Sequence, residues 1–328
     1  RIGRNVMRLL HDRTDLEVAA ISDIADPEAL TYLLKYDSLY GRFPAPVSYA
    51  DGTLSYGDRR VAFLNAREPG EADWDELGVD VVLETTSRYR SKESLDKHLA
   101  AGAEKVILTS SPETPGEIPL LFRGINDDII APDVDQLALG SNTSNAATPI
   151  LKTINDEFGI KRVFITVVKA MSNAGRLADV PTESYRTSRA AGENIIPADT
   201  NSAGIITQGL PELEGKISVV ALNVPVVDGS TVDMVVDVER STDAEEVNTV
   251  VKKACEVDYQ GIIEYVADPI VSSDVRLTSH SGVYDSLATM VTGGNLVKTI
   301  TWFNNGWGYS HRAVEATSSV AAFLNGDR

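Results

Sequence analysis

The sequence predicts an α/β protein in two parts. A parallel sheet covered by helices comes first, and an α+β region on a large, mostly antiparallel sheet follows. Two observations carry this. Up to about residue 150, short apolar strands alternate with helical segments, and beyond residue 160 the apolar runs lengthen and alternate with polar residues. Strands buried on both faces read as continuous apolar runs, whereas strands with one covered face alternate. The composition agrees: 328 residues, 43% hydrophobic and 24% charged, suit a globular chain long enough for two domains.

In chain order, helix-like 2-IGRNVMRLLHDR-13 leads to strand 16-LEVAAIS-22. The nearly continuous apolar strand 79-VDVVLETT-86 ends in polar residues. Helix 92-KESLDKHLAAGA-103 then leads to strand 105-KVILTS-110. Small and hydroxyl residues crowd the turn 140-GSNTSNAATP-149, which reads as a strand running into a helix N-terminus, with Pro149 in the first helical turns. After helix 149-PILKTINDEF-158 the strands are 161-KRVFITVVKA-170, 217-ISVVALNVPVV-227, 231-TVDMVVDVE-239 and 296-LVKTITWF-303. A helix over 245-EEVNTVVKKACEV-257 carries Cys255. The stretch 171–210 reads as loop with helical hints near 182-TESYRTSRAA-191, and a loop of that length points to function or a subunit interface.

Charge and residue usage exclude several classes. Lys plus Arg number 30 and Asp plus Glu 48, a formal charge of −18. That argues against nucleic acid as a partner, because phosphate binding needs a basic face. The acidic clusters read as solvated surface, in a high-salt habitat or an ordinary one. No apolar run approaches the roughly 20 residues that span a bilayer, so no membrane partner is expected. The single Cys255 permits no internal disulfide and fits a reducing, cytoplasmic setting. Four scattered histidines (His11, His98, His280 and His311) and one cysteine offer no metal-ligand spacing, so no metal is expected.

The opening 1-RIGRNVMRLL-10 resembles the second half of a Gly-rich dinucleotide fingerprint, with Gly3 as the glycine that lets helix and strand pack closely. Asp23 ends the next strand about 20 residues on, where an acid would bind ribose hydroxyls and favour NAD over NADP. Its competing reading is a helix cap.

Six blocks carry a wider resemblance: 1-RIGRNVMR-8, 32-YLLKYDSLYGRF-43, 97-KHLAAGAEKVI-107, 188-SRAAGENIIP-197, 211-PELEGK-216 and 302-WFNNGWGYSHR-312. Along essentially its whole length the chain resembles the phosphorylating glyceraldehyde-3-phosphate dehydrogenase family. The resemblance implies a Rossmann NAD-binding domain over residues 1–140, its first strand missing from the chain. It implies a catalytic domain over 141–309 and a C-terminal helix over 310–328 packing back on the first domain. About ten residues are expected ahead of Arg1. A homotetramer is implied, with a loop over roughly 171–195 near the cofactor of a neighbouring subunit. For the cofactor NAD, the resemblance implies Arg1 and Ile2 backbone at the pyrophosphate, Asp23 at the ribose, Thr86 and Thr109 lining the cleft, and Asn305 at the carboxamide. Ser87 and Tyr89 stand where the family has glycine and phenylalanine.

At the chemistry the chain departs from the family. The nucleophile motif Ser-Cys-Thr-Thr-Asn-Cys is matched by Ser141-Asn142-Thr143-Ser144-Asn145-Ala146, so Asn142 takes the cysteine position. The family histidine falls on Lys169, two phosphate-binding arginines fall on Thr187 and Asn223, and an aspartate falls on Ala174. Ser141, Thr143, Ser172 and Thr200 keep the neutral part of the anion and substrate sites. The family route forms a thioester through a thiolate, and an amide cannot replace that nucleophile.

Two functions stay open at this point. One is an oxidoreductase of altered chemistry in which Lys169 acts as general base and Asn142 holds a substrate oxygen, a Schiff base at Lys169 being a variant. The other is an NAD-binding pseudoenzyme with a regulatory or assembly role, acting on a small-molecule effector. Aldehyde chemistry through an activated water is a third, lesser reading.

Overall fold

The computed structural model describes residues 1–324 and Gly326. The chain divides into two compact units. The first holds residues 1–121 and 127–140 and the chain from Ser310 onward; the second holds residues 122–126 and 141–309.

In the first unit, α1 (Ile2–Leu10) buries Asn5, Val6, Met7 and Leu10 along one stripe. The strand β1 (Ala20–Ser22) follows, then α2 (Pro27–Lys35), whose cap Asp26 accepts from the Ala29 amide, with Pro27 in the first turn. A short hairpin, β2 (Tyr36–Asp37) with β3 (Gly41–Arg42), precedes β4 (Val47–Ala50), β5 (Thr53–Tyr56) and β6 (Arg59–Leu64). Asp51 and Gly52 join β4 to β5 with φ of 48° and 73°, the left-handed pair that an Asp-Gly hairpin turn requires. Farther along come β7 (Val81–Glu84), α3 (Lys92–Ala100) capped by Ser91, β8 (Lys105–Leu108) and β9 (Gln136–Ala138).

These strands form three sheets where one was expected, the hairpin β2-β3 being the smallest. β7-β8-β9 is parallel throughout; in β1-β6-β5-β4 only the β1–β6 pair is parallel. The antiparallel pairs come from 47-VSYADGTLSYGDRRVAFL-64, two hairpins whose tight turns favour antiparallel neighbours.

The second unit opens with α4 (Asn142–Phe158) and β10 (Ile160–Lys169). Next come β11 (Ile196–Ala198), α5 (Ser202–Gly209), β12 (Ile217–Asn223), β13 (Ser230–Val238), α6 (Ala244–Val257), β14 (Ile263–Val266), β15 (Gly282–Asp285), β16 (Met290–Thr292) and β17 (Leu296–Phe303). The sheet order is β11-β12-β10-β13-β17-β15-β14, with β16 on β17; β10–β12 and β14–β15 are its parallel pairs. One face is the core: Val163, Ile165 and Val167 of β10 and Val232, Met234 and Val236 of β13 pack with Ala146, Ile150 and Ile154 of α4.

Two expectations in this unit are corrected. Residues 182–191 form turns and no helix; the Thr182, Thr187 and Ser188 hydroxyls bind one another and the Ser184 carbonyl, which also accepts from the Ser188 amide. Conversely, 202-SAGIITQG-209 is helical although two glycines and two isoleucines weaken its propensity; burial of Ile205 and Ile206 compensates. The last helix, α7 (Trp307–Leu324), starts ahead of the expected 310, with Asn304 Oδ1 accepting from the Gly306 and Gly308 amides.

Candidate functional site

In the first unit the fingerprint residues occupy a helix start. Arg1 is the cap of α1 and makes no side-chain cap bond, so the first N–H groups remain available to an anion. A Cβ built on Gly3 would sit 3.1 Å from Thr85 Oγ1, directly after β7, a close helix–strand approach that favours glycine. Asp23 follows β1; its Oδ1 accepts from the Ala25 amide at 2.9 Å, and among the described residues it forms no ion pair. The helix cap is Asp26, so the competing reading of Asp23 as a cap is resolved against.

Thr86 and Thr109 share an anchor that sequence reasoning missed. Thr86 donates its hydroxyl to Glu84 Oε1 at 2.5 Å and its amide to the same oxygen at 2.6 Å. Thr109 donates through Oγ1 and through its amide to the Glu84 carbonyl, both at 3.0 Å. Ser87, in the same turn, has φ of 58°, a region glycine enters freely and serine at a cost.

In the second unit, chain geometry gathers the chemistry residues. α4 rises about 25 Å over its residues and β10 about 33 Å over its own. Gly159, with φ of 69°, joins them directly, so the helix runs back along the strand. Asn142 and Lys169 therefore lie toward the same end of the helix–sheet pair. The register extends the cluster. Lys169 is the parallel partner of Asn223, Val168 faces Thr231, and Ser230 faces Phe303, two residues before Asn305.

Lys169 has the parity of Val163, Ile165 and Val167, so it leaves the sheet on the core side. It forms no ion pair or side-chain hydrogen bond among the described residues, and burial alone pushes its amine below the ordinary lysine value of 10.5. Asn142, half-buried in the first turn of α4, likewise makes no side-chain bond among the described residues. Ser141 is the helix cap: its Oγ accepts from the Ser144 amide at 3.1 Å, and Ser144 Oγ accepts from the Ser141 amide at 2.9 Å. The cap uses that hydroxyl as an acceptor, which leaves its hydrogen to donate. Thr143 is buried.

Asn305 is held on three sides. Its amide donates to Asp228 Oδ1 at 3.0 Å, its Oδ1 accepts from Ser230 Oγ at 2.6 Å, and its Nδ2 donates to the Met171 carbonyl at 3.3 Å. Asp228 and Ser230 were not legible as site residues. Their side chains act only through a strand pairing that places them beside residue 305.

Other expected residues are less closely drawn in. Ser172 Oγ accepts from the Ala174 amide at 3.3 Å inside a local turn. Thr200 Oγ1 lies 2.7 Å from Ser202 Oγ at the start of α5. Thr187 Oγ1 bonds the Ser184 carbonyl within its own loop. Cys255 is buried on α6, its thiol pushed up to about 12 by burial, so no thiolate forms at neutral pH. Among the described residues no group of three or more His, Cys, Asp or Glu could hold a metal, and no helix is long and apolar enough to cross a membrane.

A bare helix start supported by glycine, an acid at the end of the next strand and two anchored threonines define a dinucleotide-binding unit. Residues 1–92 match the glyceraldehyde 3-phosphate dehydrogenase NAD binding domain, and residues 141–305 match the C-terminal domain of the same enzymes. The chain is 39% identical over 323 residues to glyceraldehyde-3-phosphate dehydrogenase of Geobacillus stearothermophilus, covering 98% of this chain and 96% of that one. Identity to the Borreliella burgdorferi enzyme is 38% over 327 residues, with 98% and 97% covered. This chain belongs to the glyceraldehyde-3-phosphate dehydrogenase family, and NAD is its cofactor.

Proposed function

We propose that this protein is an NAD-dependent oxidoreductase that does not use the family's thioester route, with Lys169 as general base and Asn142 as the group that holds a substrate oxygen. One observation carries the reading: a lysine without an acidic partner, its amine lowered by burial, stands at the end of β10 where α4 begins. In the resemblance Asn142 takes the place of the cysteine and Lys169 that of the histidine. The asparagine amide offers no nucleophile, and the Cys255 thiol stays protonated.

Arg1, Ile2, Gly3, Asp23, Thr86, Thr109 and Asn305 are the residues assigned to NAD, which when bound supplies a hydride acceptor. Lys169 Nζ, in its neutral form, takes the proton of a substrate hydroxyl. The Asn142 amide orients that oxygen, and the Asn223 amide, beside Lys169 on β12, offers a second neutral contact. Amides and hydroxyls in place of guanidinium groups suit a small substrate with less charge than a phosphate ester.

The test is turnover. Incubation with NAD and a panel of small hydroxy compounds yields NADH absorbance, and Lys169→Ala removes it while NAD affinity stays. Phosphate-dependent oxidation of glyceraldehyde 3-phosphate by this chain would overturn the proposal.

A second reading rests on a different observation. Neither Asn142 nor Lys169 is oriented by a hydrogen bond among the described residues, whereas a catalytic base is ordinarily held by a third group. An NAD-binding regulatory or assembly protein needs no such orientation. It would show no turnover across the panel, with NAD still raising the melting temperature. Under either reading the protein is a homo-oligomer, a tetramer in the resemblance. In support, Leu177 and Tyr185 of the 171–195 loop are 99% and 96% exposed in the single chain.

A further inference from the structure

The geometry points to Glu84 as a positioning residue for the cofactor, held in place by a buried His98–Trp74 relay; this rests on the assignment of Thr86 and Thr109 to NAD. Glu84, His98 and Trp74 are all buried in the first unit. Trp74 Nε1 lies 3.1 Å from His98 Nδ1, and His98 Nε2 lies 3.4 Å from Glu84 Oε2.

An indole N–H can only donate, so His98 Nδ1 must accept and the ring carries its proton on Nε2. That proton faces Glu84 Oε2. The other carboxylate oxygen takes both the amide and the hydroxyl of Thr86. The first donor sets the His98 tautomer and the direction of its bond to Glu84, and the Thr86 bonds run inward because a carboxylate only accepts. Thr86 gives its hydroxyl proton inward and accepts from the Arg88 amide at 3.1 Å, so it has one acceptor lone pair left for a ligand hydroxyl or amine. The Glu84 carbonyl fixes Thr109 at the same time. Two threonines just past the ends of neighbouring parallel strands are thus set by one residue.

The turn itself needs this support. Ser87 sits in the left-handed region, and the Glu84–Thr86 bonds close the turn that holds it there. A glutamate whose only task was to pair with a histidine would not need both faces of its carboxylate and its carbonyl occupied in this way.

The relay predicts a specific pattern among variants. In Glu84→Gln the amide must present NH2 either to His98 Nε2–H or to the Thr86 donors, and donor faces donor both ways. His98 cannot relieve this by moving its proton to Nδ1, because the Trp74 N–H is there. Trp74→Phe removes that obstacle. NAD dissociation constants measured by calorimetry are therefore expected to weaken roughly tenfold in Glu84→Gln and to recover to within about threefold of the parent in Glu84→Gln with Trp74→Phe. Unchanged affinity in Glu84→Gln, or a double variant no better than the single, overturns the relay. Thr86→Val is the control on the underlying assignment: unchanged NAD affinity there removes the threonine from the site and the inference with it. Nitrogen-15 NMR of the parent protein reads the His98 tautomer without any substitution; a proton on Nδ1 would overturn the inference directly.

Discussion

Lys169 is where burial and charge oppose each other most plainly. Its three partners in parity along β10 are fully buried valine and isoleucine residues, yet the side chain ends in an amine with no counter-charge among the described residues. The cost of desolvating that charge predicts the sign of a pH effect. Below the lowered native value the amine is protonated both folded and unfolded, so the cost is fully present. As pH rises from the lowered native value toward 10.5, the folded protein gives up its proton first, the unfolded chain holds more protons, and stability recovers. Lys169→Met should therefore be more stable than the parent at pH 7. The advantage should shrink as pH approaches 10.5, as followed by urea titrations across that range. The placing of Gly3 at a close approach and of Asp23 just after a strand was legible beforehand from a spacing. Glu84 and Asp228 were not, since a carboxylate in a sequence carries no sign of what it will be bonded to.

The elements were legible to the extent that their cores are periodic. β13 alternates buried and half-buried residues along its whole length, and its alternation shows in the sequence. The helix over 202–209 and the two hairpins of 47–64 were missed. In the first, burial overrides poor propensity; in the second, short strands leave little alternation to count. β17 holds a testable oddity. Thr299 and Thr301 are fully buried, and their hydroxyls find no partner among the described residues. An unpaired buried hydroxyl costs about 1–3 kcal/mol, and valine keeps the shape without it. Thr299→Val should leave stability unchanged or raise it by about 1 kcal/mol, measured by thermal melting. A large loss of stability would mean that the hydroxyl is bonded after all.

At the scale of the whole molecule, charge is the dominant fact. With 48 acidic and 30 basic residues the folded protein carries a formal −18, and the compact state concentrates that repulsion. Salt screens it, so the melting temperature should rise steadily between about 0.05 M and 1 M KCl, where the Debye length falls from roughly 14 Å to about 3 Å. A melting temperature that falls or stays flat would show that ion pairs such as Arg240 with Glu157 and Glu246 outweigh the net repulsion.

By itself the sequence determined the class of each half, the family, the cofactor and the absence of a cysteine at the start of α4. All of these depend on residue identity or on short-range period. Only the tertiary structure decided that Lys169 lies beside Asn223, that Asn305 is held by Asp228 and Ser230, and that Trp74, His98 and Glu84 line up beneath Thr86. Those meetings are set by strand register and by chain segments far apart in sequence. A one-residue slip in pairing would turn each side chain to the opposite face, and the burial that prevents the slip exists only once the sheet has formed.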